Sequence, residues 1–182
     1  MAKLTITEAM AECKTLTKRI EKKRAAILPY LFRQEKVKDP FEKDGGTVEY
    51  IKRERQAIGD LEKRLVRIRA AISLANLQNE ISVGAVTMSI FDWLTWRREV
   101  SEGQKKFSQQ ILSALQSGRK QATQQQLKLV SAESLAQSPE DIIVNVSEPD
   151  VIAEVEAIEE ILGTLDGQLS LKNATIVVEI GD

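Results

Sequence analysis

Glu80 to Val100 reads EISVGAVTMSIFDWLTWRREV and holds both tryptophans of a chain that is only 4% aromatic. Two periods meet in it. Ile81 and Val83 alternate with polar neighbours, Gly84–Ala85 has the form of a two-residue turn, and Val86, Met88 and Ile90 alternate again, which is the pattern of a β-hairpin. From Ser89 the spacing changes. Ser89 and Asp92 stand three apart, as in a capping box, so a helix is expected to start on IFDWLTWRREV. Trp93 and Trp96 then lie one turn apart, with Ile90, Phe91 and Leu94 beside them.

Upstream the chain is helical. Thr5 and Glu8 in TITEAM have capping-box spacing and predict the start of a first helix. Its expected seam is Met10, Cys13, Thr17, Ile20, Arg24, Ile27 and Leu31, and Pro29 should kink or end it. The loop VKDPFEKDGGTVE, with Pro40 and Gly45–Gly46, is a strong break. A second helix carries Ile51, Ile58, Leu61, Leu65, Ile68, Ile72 and Ala75 on a seven-residue period, with charged residues on its other faces. Residues 1–78 are therefore expected to form a long antiparallel, coiled-coil-like hairpin arm.

Downstream, Ser101–Glu102–Gly103–Gln104 looks like a second helix start, so a bend is expected there, followed by a polar helix ending in a loop through the Gln-rich segment. DIIVNV, Asp141–Val146, reads as a short strand, and SEPD as a helix start with Ser147 capping and Pro149 in the first turn. Val151, Val155, Ile158, Leu162, Leu165 and Leu169 form the stripe of the next helix, and Ile176, Val178 and Ile180 one face of a terminal strand. Residues 79–182 thus hold the β-hairpin, a third helix, a strand, a fourth helix and a terminal strand. The fold class is α+β, predominantly helical, with a small, mostly antiparallel sheet of three or four strands.

The 182 residues are 42% hydrophobic and 29% charged, as in a folded protein able to bury a core without metal or disulfides. There is a single cysteine, Cys13, set on the seam of the first helix and read as a packing residue. Histidine is absent, which removes the commonest general base and metal ligand. No apolar run reaches the roughly twenty residues that span a bilayer, and the N-terminus lacks the pattern of a secretory signal, so neither membrane insertion nor export is expected.

The net charge of −1 conceals a polarity. Residues 1–78 carry 18 Lys/Arg against 11 Asp/Glu, or +7, while residues 79–182 carry 8 against 16, or −8. Either the two halves pack on each other in one molecule, or complementary fields steer copies together head to tail.

Candidate chemistry is thin. Glu159–Glu160 lies on an exposed acidic helix face, and Gly45–Gly46 lacks the flanking residues of a phosphate loop. The basic face of the first helix is interrupted by Glu8, Glu12 and Glu21 and has no stacking aromatics, so nucleic-acid binding is not expected. No catalytic, cofactor-binding or metal residues, no cofactor and no small-molecule substrate are assigned; the chain is read as a non-enzyme. Ile90, Phe91, Trp93 and Trp96 are read as the structural hub where hairpin, third helix and terminal strands meet and which fixes the arm against the sheet, with Arg97 and Arg98 pointing partly outward as interface residues.

The order of elements, with the segments RIEKKRAAILPYLFRQE, DPFEKDGGTVEYIKRERQAI, SIFDWLTWRREV and EILGTLDGQLSLKNATIVVEI, resembles structural proteins encoded in tailed-bacteriophage genomes. It also resembles the septicolysin-like bacterial family, in which two long helices flank a small sheet. The phage resemblance implies a non-enzymatic virion component at the capsid surface, neck or tail, assembled in many copies in the host cytoplasm beside other virion proteins. The septicolysin-like resemblance implies membrane-active or pore-forming behaviour. A cytoplasmic coiled-coil adaptor or assembly chaperone is the third expectation.

Overall fold

The computed structural model of the chain describes residues 2–130 and 144–181. It is mostly helical, with small antiparallel two-stranded sheets. In order the elements are β1 (Ala2–Thr5), α1 (Ile6–Ile27), α2 (Gly46–Gln78), β2 (Glu80–Val83), β3 (Val86–Ser89), α3 (Ile90–Trp96), α4 (Glu102–Val130), α5 (Glu148–Thr175) and β4 (Val177–Ile180). The chain divides into two compact units, Met1–Glu80 with Leu169–Asp182, and Ile81–Gln168. The end of the segment read from sequence as 79–182 therefore lies in the unit of the helical hairpin.

In the first unit, the reciprocal cap of α1 forms between the two residues whose spacing announces it. The Thr5 N–H donates to Glu8 Oε2 at 2.7 Å and the Glu8 N–H donates to Thr5 Oγ1 at 3.2 Å. The Thr5 N–H, joined by the Thr5 hydroxyl donating to the same oxygen at 2.9 Å, holds the Glu8 carboxyl below its ordinary pKa. At the other end Pro29 sits in a 3₁₀ turn, Leu28–Tyr30, immediately after α1. Gly45 and Gly46, at φ +95° and +89°, make the left-handed approach to α2 that a side chain would strain.

Helices α1 and α2 run antiparallel: Glu12 pairs with Arg64 at 2.6 Å and, eleven residues further along α1, Lys23 pairs back down α2 with Glu54 at 2.8 Å, while Arg24 adds a pair to Glu62 at 2.5 Å. Between them lie Ile6, Ala9, Cys13 and Leu16 against Ile68 and Ala75, then Ile20 and Ile27 against Ile58. The α2 seam is the expected one. On α1 it is rotated, however. Met10 and Arg24 are exposed and Leu31 lies beyond the helix, while Ile6, Ala9 and Leu16 take the core positions. The reason is β1, which the sequence reading missed. It pairs antiparallel with β4, Leu4 opposite Val178 and Lys3 opposite Glu179, and the buried Val178 and Ile180 join Ile6 and Ala9 in one cluster.

The second unit opens with the expected hairpin, β2–β3, turning through Gly84 at φ +58°. Among the described residues the strands lie in two separate two-stranded sheets, β1–β4 and β2–β3, and not in one sheet. Ser89 caps α3, accepting the Asp92 N–H at 3.0 Å. The second helix start expected at Ser101 is instead a π turn, Arg97–Ser101, through which α3 continues into α4. Ser101 is buried there and its hydroxyl donates to the Arg97 carbonyl at 2.8 Å. The strand expected over Asp141–Val146 falls for 141–143 outside the described residues; Val144–Val146 are described and form no strand.

Candidate interaction surface

Trp93 is the anchor of the second unit. It is 3% exposed, and its indole Nε1 donates to the Ile81 carbonyl at 2.9 Å, which ties α3 to the hairpin strand β2. Ile90, at the start of α3, is fully buried. Trp96 meets Trp93 edge to face with ring centroids 5.7 Å apart, and is half-buried. Of the expected hub, Phe91 departs: it is 44% exposed, because the residue next to buried Ile90 points about 100° away around the helix.

From this anchor an open apolar groove of about 550 Å³ extends along the unit. Val86 and Met88 of β3 form one end with Trp93 and Trp96. Gln104, Phe107 and Ser108 of α4 make one wall, and Ala157, Ile158 and Ile161 of α5 the other. The π turn bears on this geometry. It joins α3 to α4 without a break, and Trp93 with Gln104, like Trp96 with Phe107, stand eleven residues or about three helical turns apart, so residues of both helices line one groove.

The helices beside the groove are held by polar links across one side. Arg97 pairs with Asp166 at 2.6 Å, Lys105 with Glu159 at 2.5 Å and Arg119 with Glu148 at 2.5 Å, so α5 runs antiparallel to α3 and α4. The bond and charge of Glu159 push the Lys105 ammonium above its ordinary pKa. Seven- and eleven-residue separations keep Glu148, Glu159 and Asp166 on one stripe of α5, while Ala157 and Ile161 occupy the next. Among the described residues Glu154 is the one charged residue lining the groove, and it accepts from the buried Ser108 hydroxyl at 3.3 Å.

The two expected interface arginines are occupied within the chain. Arg97 belongs to the ion-pair ladder, and Arg98 pairs with the neighbouring Glu99 at 2.6 Å. Phe107 of α4, 64% exposed, is a surface residue that sequence reasoning misses. Its signal was available: it extends the Trp93–Trp96 stripe across Ser101–Gln104.

The tip of the α1–α2 hairpin is a second built feature. Both tyrosines of the chain meet Phe41 there, with Phe41 stacked on Tyr50 at 4.0 Å and edge-on to Tyr30 at 4.9 Å. Asp39 closes the loop by accepting from Thr47 Oγ1 at 2.6 Å, the Thr47 N–H at 3.0 Å and the Phe41 N–H at 2.9 Å. Those bonds, the Thr47 hydroxyl foremost, hold its pKa down to about 2. Leu28, Leu31, Val48 and, at 87%, Phe32 stand exposed at this end.

Cys13 is buried, and burial pushes its thiol above the ordinary pKa. Among the described residues no group of three or more His, Cys, Asp or Glu is placed to hold a metal, and no helix is long and apolar enough to cross a membrane. Compared with protein-family models, curated proteins and solved structures, the chain matches none. What the groove offers is apolar and aromatic area beside a salt-bridged edge.

Proposed function

We propose that this chain is a non-enzymatic structural component of a tailed-bacteriophage particle, at the capsid surface, neck or tail, assembled in many copies in the host cytoplasm. The observation that carries the assembly part is the open groove of Trp96, Phe107, Ile158 and Ile161, an apolar surface that the described residues leave open. The phage part rests on the resemblance in element order and in the quoted segments. On this reading α1 and α2 act as a coiled-coil-like arm that projects contacts from the particle, and the two-stranded sheets offer free edges for pairing between subunits and with other virion proteins.

Mass spectrometry of purified particles tests it. Stoichiometric presence supports a virion part; presence in lysate but absence from particles turns the reading to an assembly chaperone or adaptor. Neighbouring genes without portal, terminase or capsid functions would count against the phage assignment altogether.

A septicolysin-like membrane-active protein is the second reading, favoured by the exposed Leu28, Leu31, Phe32 and Val48 at the hairpin tip. Dye release from liposomes at micromolar protein, abolished by Phe32→Asp, would support it. Intact liposomes would remove it.

A further inference from the structure

We propose that the groove of the second unit is closed by a second copy of this chain, the α4–α5 layers of two copies packing face to face as a four-helix bundle. The inference rests on the many-copy part of the reading above and names the surface and its symmetry. A layer of two helices can bury one stripe from each helix against the other, but apolar residues turned to its open side need another layer. Phe107, 64% exposed, and the groove-lining Trp96, Ala157 and Ile161 are such residues. The half-buried Ile111 and Leu115 prolong the α4 wall, so that Gln104 to Leu115 offers ~16 Å of helix to a partner.

Charge selects the occupant. From 102 to 124, α4 carries four bases and one acid; α5, from 148 to 175, carries seven acids and one base. A two-fold axis parallel to the helices lays each α4 over the partner's α5, basic on acidic at both contacts, whereas a perpendicular axis lays like on like. A second copy therefore brings the complement of this surface. Lys106 and Lys120 on α4, and Glu156 and Glu160 on α5, form no ion pair among the described residues and remain available at the edges of the layer.

The test uses the full purified chain, by light scattering coupled to gel filtration and by tryptophan emission against concentration. The parent is expected to dimerise at micromolar concentration with a blue shift from Trp96. Phe107→Glu changes a side chain the monomer leaves exposed. It should keep the circular dichroism of the parent and weaken dimerisation by about 30-fold or more, the loss that a buried aromatic hot spot brings. Glu156→Lys with Glu160→Lys, and separately Lys106→Glu with Lys120→Glu, should each impair self-association, and mixing the two variants should restore it. A parent monomeric at tens of micromolar, or a dimer indifferent to Phe107→Glu, overturns the surface. Failure of the mixed pair to associate overturns the α4-over-α5 arrangement. None of these readouts involves particles, so the dimer and the phage assignment fail separately.

Discussion

Replacing Trp93 should show how the second unit is held together. A buried tryptophan removes about 150–250 Å² from water, worth roughly 4–6 kcal/mol at ~25 cal/mol per Å². Part of that is recovered when the site collapses around alanine. Trp93→Ala is therefore expected to cost about 3–5 kcal/mol, within the range of large aromatic truncations. Trp93→Phe separates the polar part. It keeps most of the ring but leaves the carbonyl of Ile81, a residue only 2% exposed, without the indole donor, a cost of about 1–3 kcal/mol. Both tryptophans belong to the unit Ile81–Gln168, so emission from the remaining Trp96 during urea unfolding reports that unit, while far-UV circular dichroism follows all helices. The expected order is parent, Phe, Ala, with midpoints falling at similar slope. If both variants unfold within about 0.5 kcal/mol of the parent, Trp93 does not pin hairpin to helix; equal, large losses for Phe and Ala would place the energy in the hydrogen bond and refute the packing term.

Other consequences are as direct. Ile68→Ala empties a fully buried position between α1 and α2 and should cost about 2–5 kcal/mol, measured by chemical denaturation. Asp39 has a depressed folded-state pKa of about 2, so its contribution to stability is present above the ordinary carboxylate value of about 3.9 and is lost as pH falls through about 2. Melting curves of the parent should therefore decline in that window, and Asp39→Asn should flatten the decline; an unchanged profile would deny the clasp. Arg97→Ala should cost less than about 1 kcal/mol, since Arg97 and Asp166 are 42% and 68% exposed and solvent screens the pair, which a double-mutant cycle with Asp166→Ala checks.

Much of the architecture was readable because it is encoded over short separations. Thr5 and Glu8 meet within one helical turn, Gly84 must supply a positive φ, and the heptads of α2 mark its buried face without reference to the rest of the chain. Ser101–Gln104 reads as a helix start with a bend, and the structure has there a π turn, Arg97–Ser101, with Ser101 donating to the Arg97 carbonyl. The α1 seam was misplaced because strand β1, four residues beside a helix cap, has little period of its own and gains its partner only from β4 at the other end of the chain.

The groove and the tip clasp belong to a different order of information. That α5 runs against α3 and α4, with Lys105 meeting Glu159 and Arg97 meeting Asp166, depends on residues 54 or more positions apart in the chain, and many other lysine–glutamate pairs had equal claim. Asp39 likewise gains its depressed pKa from Thr47, across a loop that composition marked only as a turn. The sequence alone therefore determined helices, caps, hairpin and the charge polarity of the two halves, since each depends on neighbours within a few turns or on composition. Tertiary structure decided which faces are covered, which charges are paired and which aromatic remains open, because those follow from long-range contacts whose register no local period records.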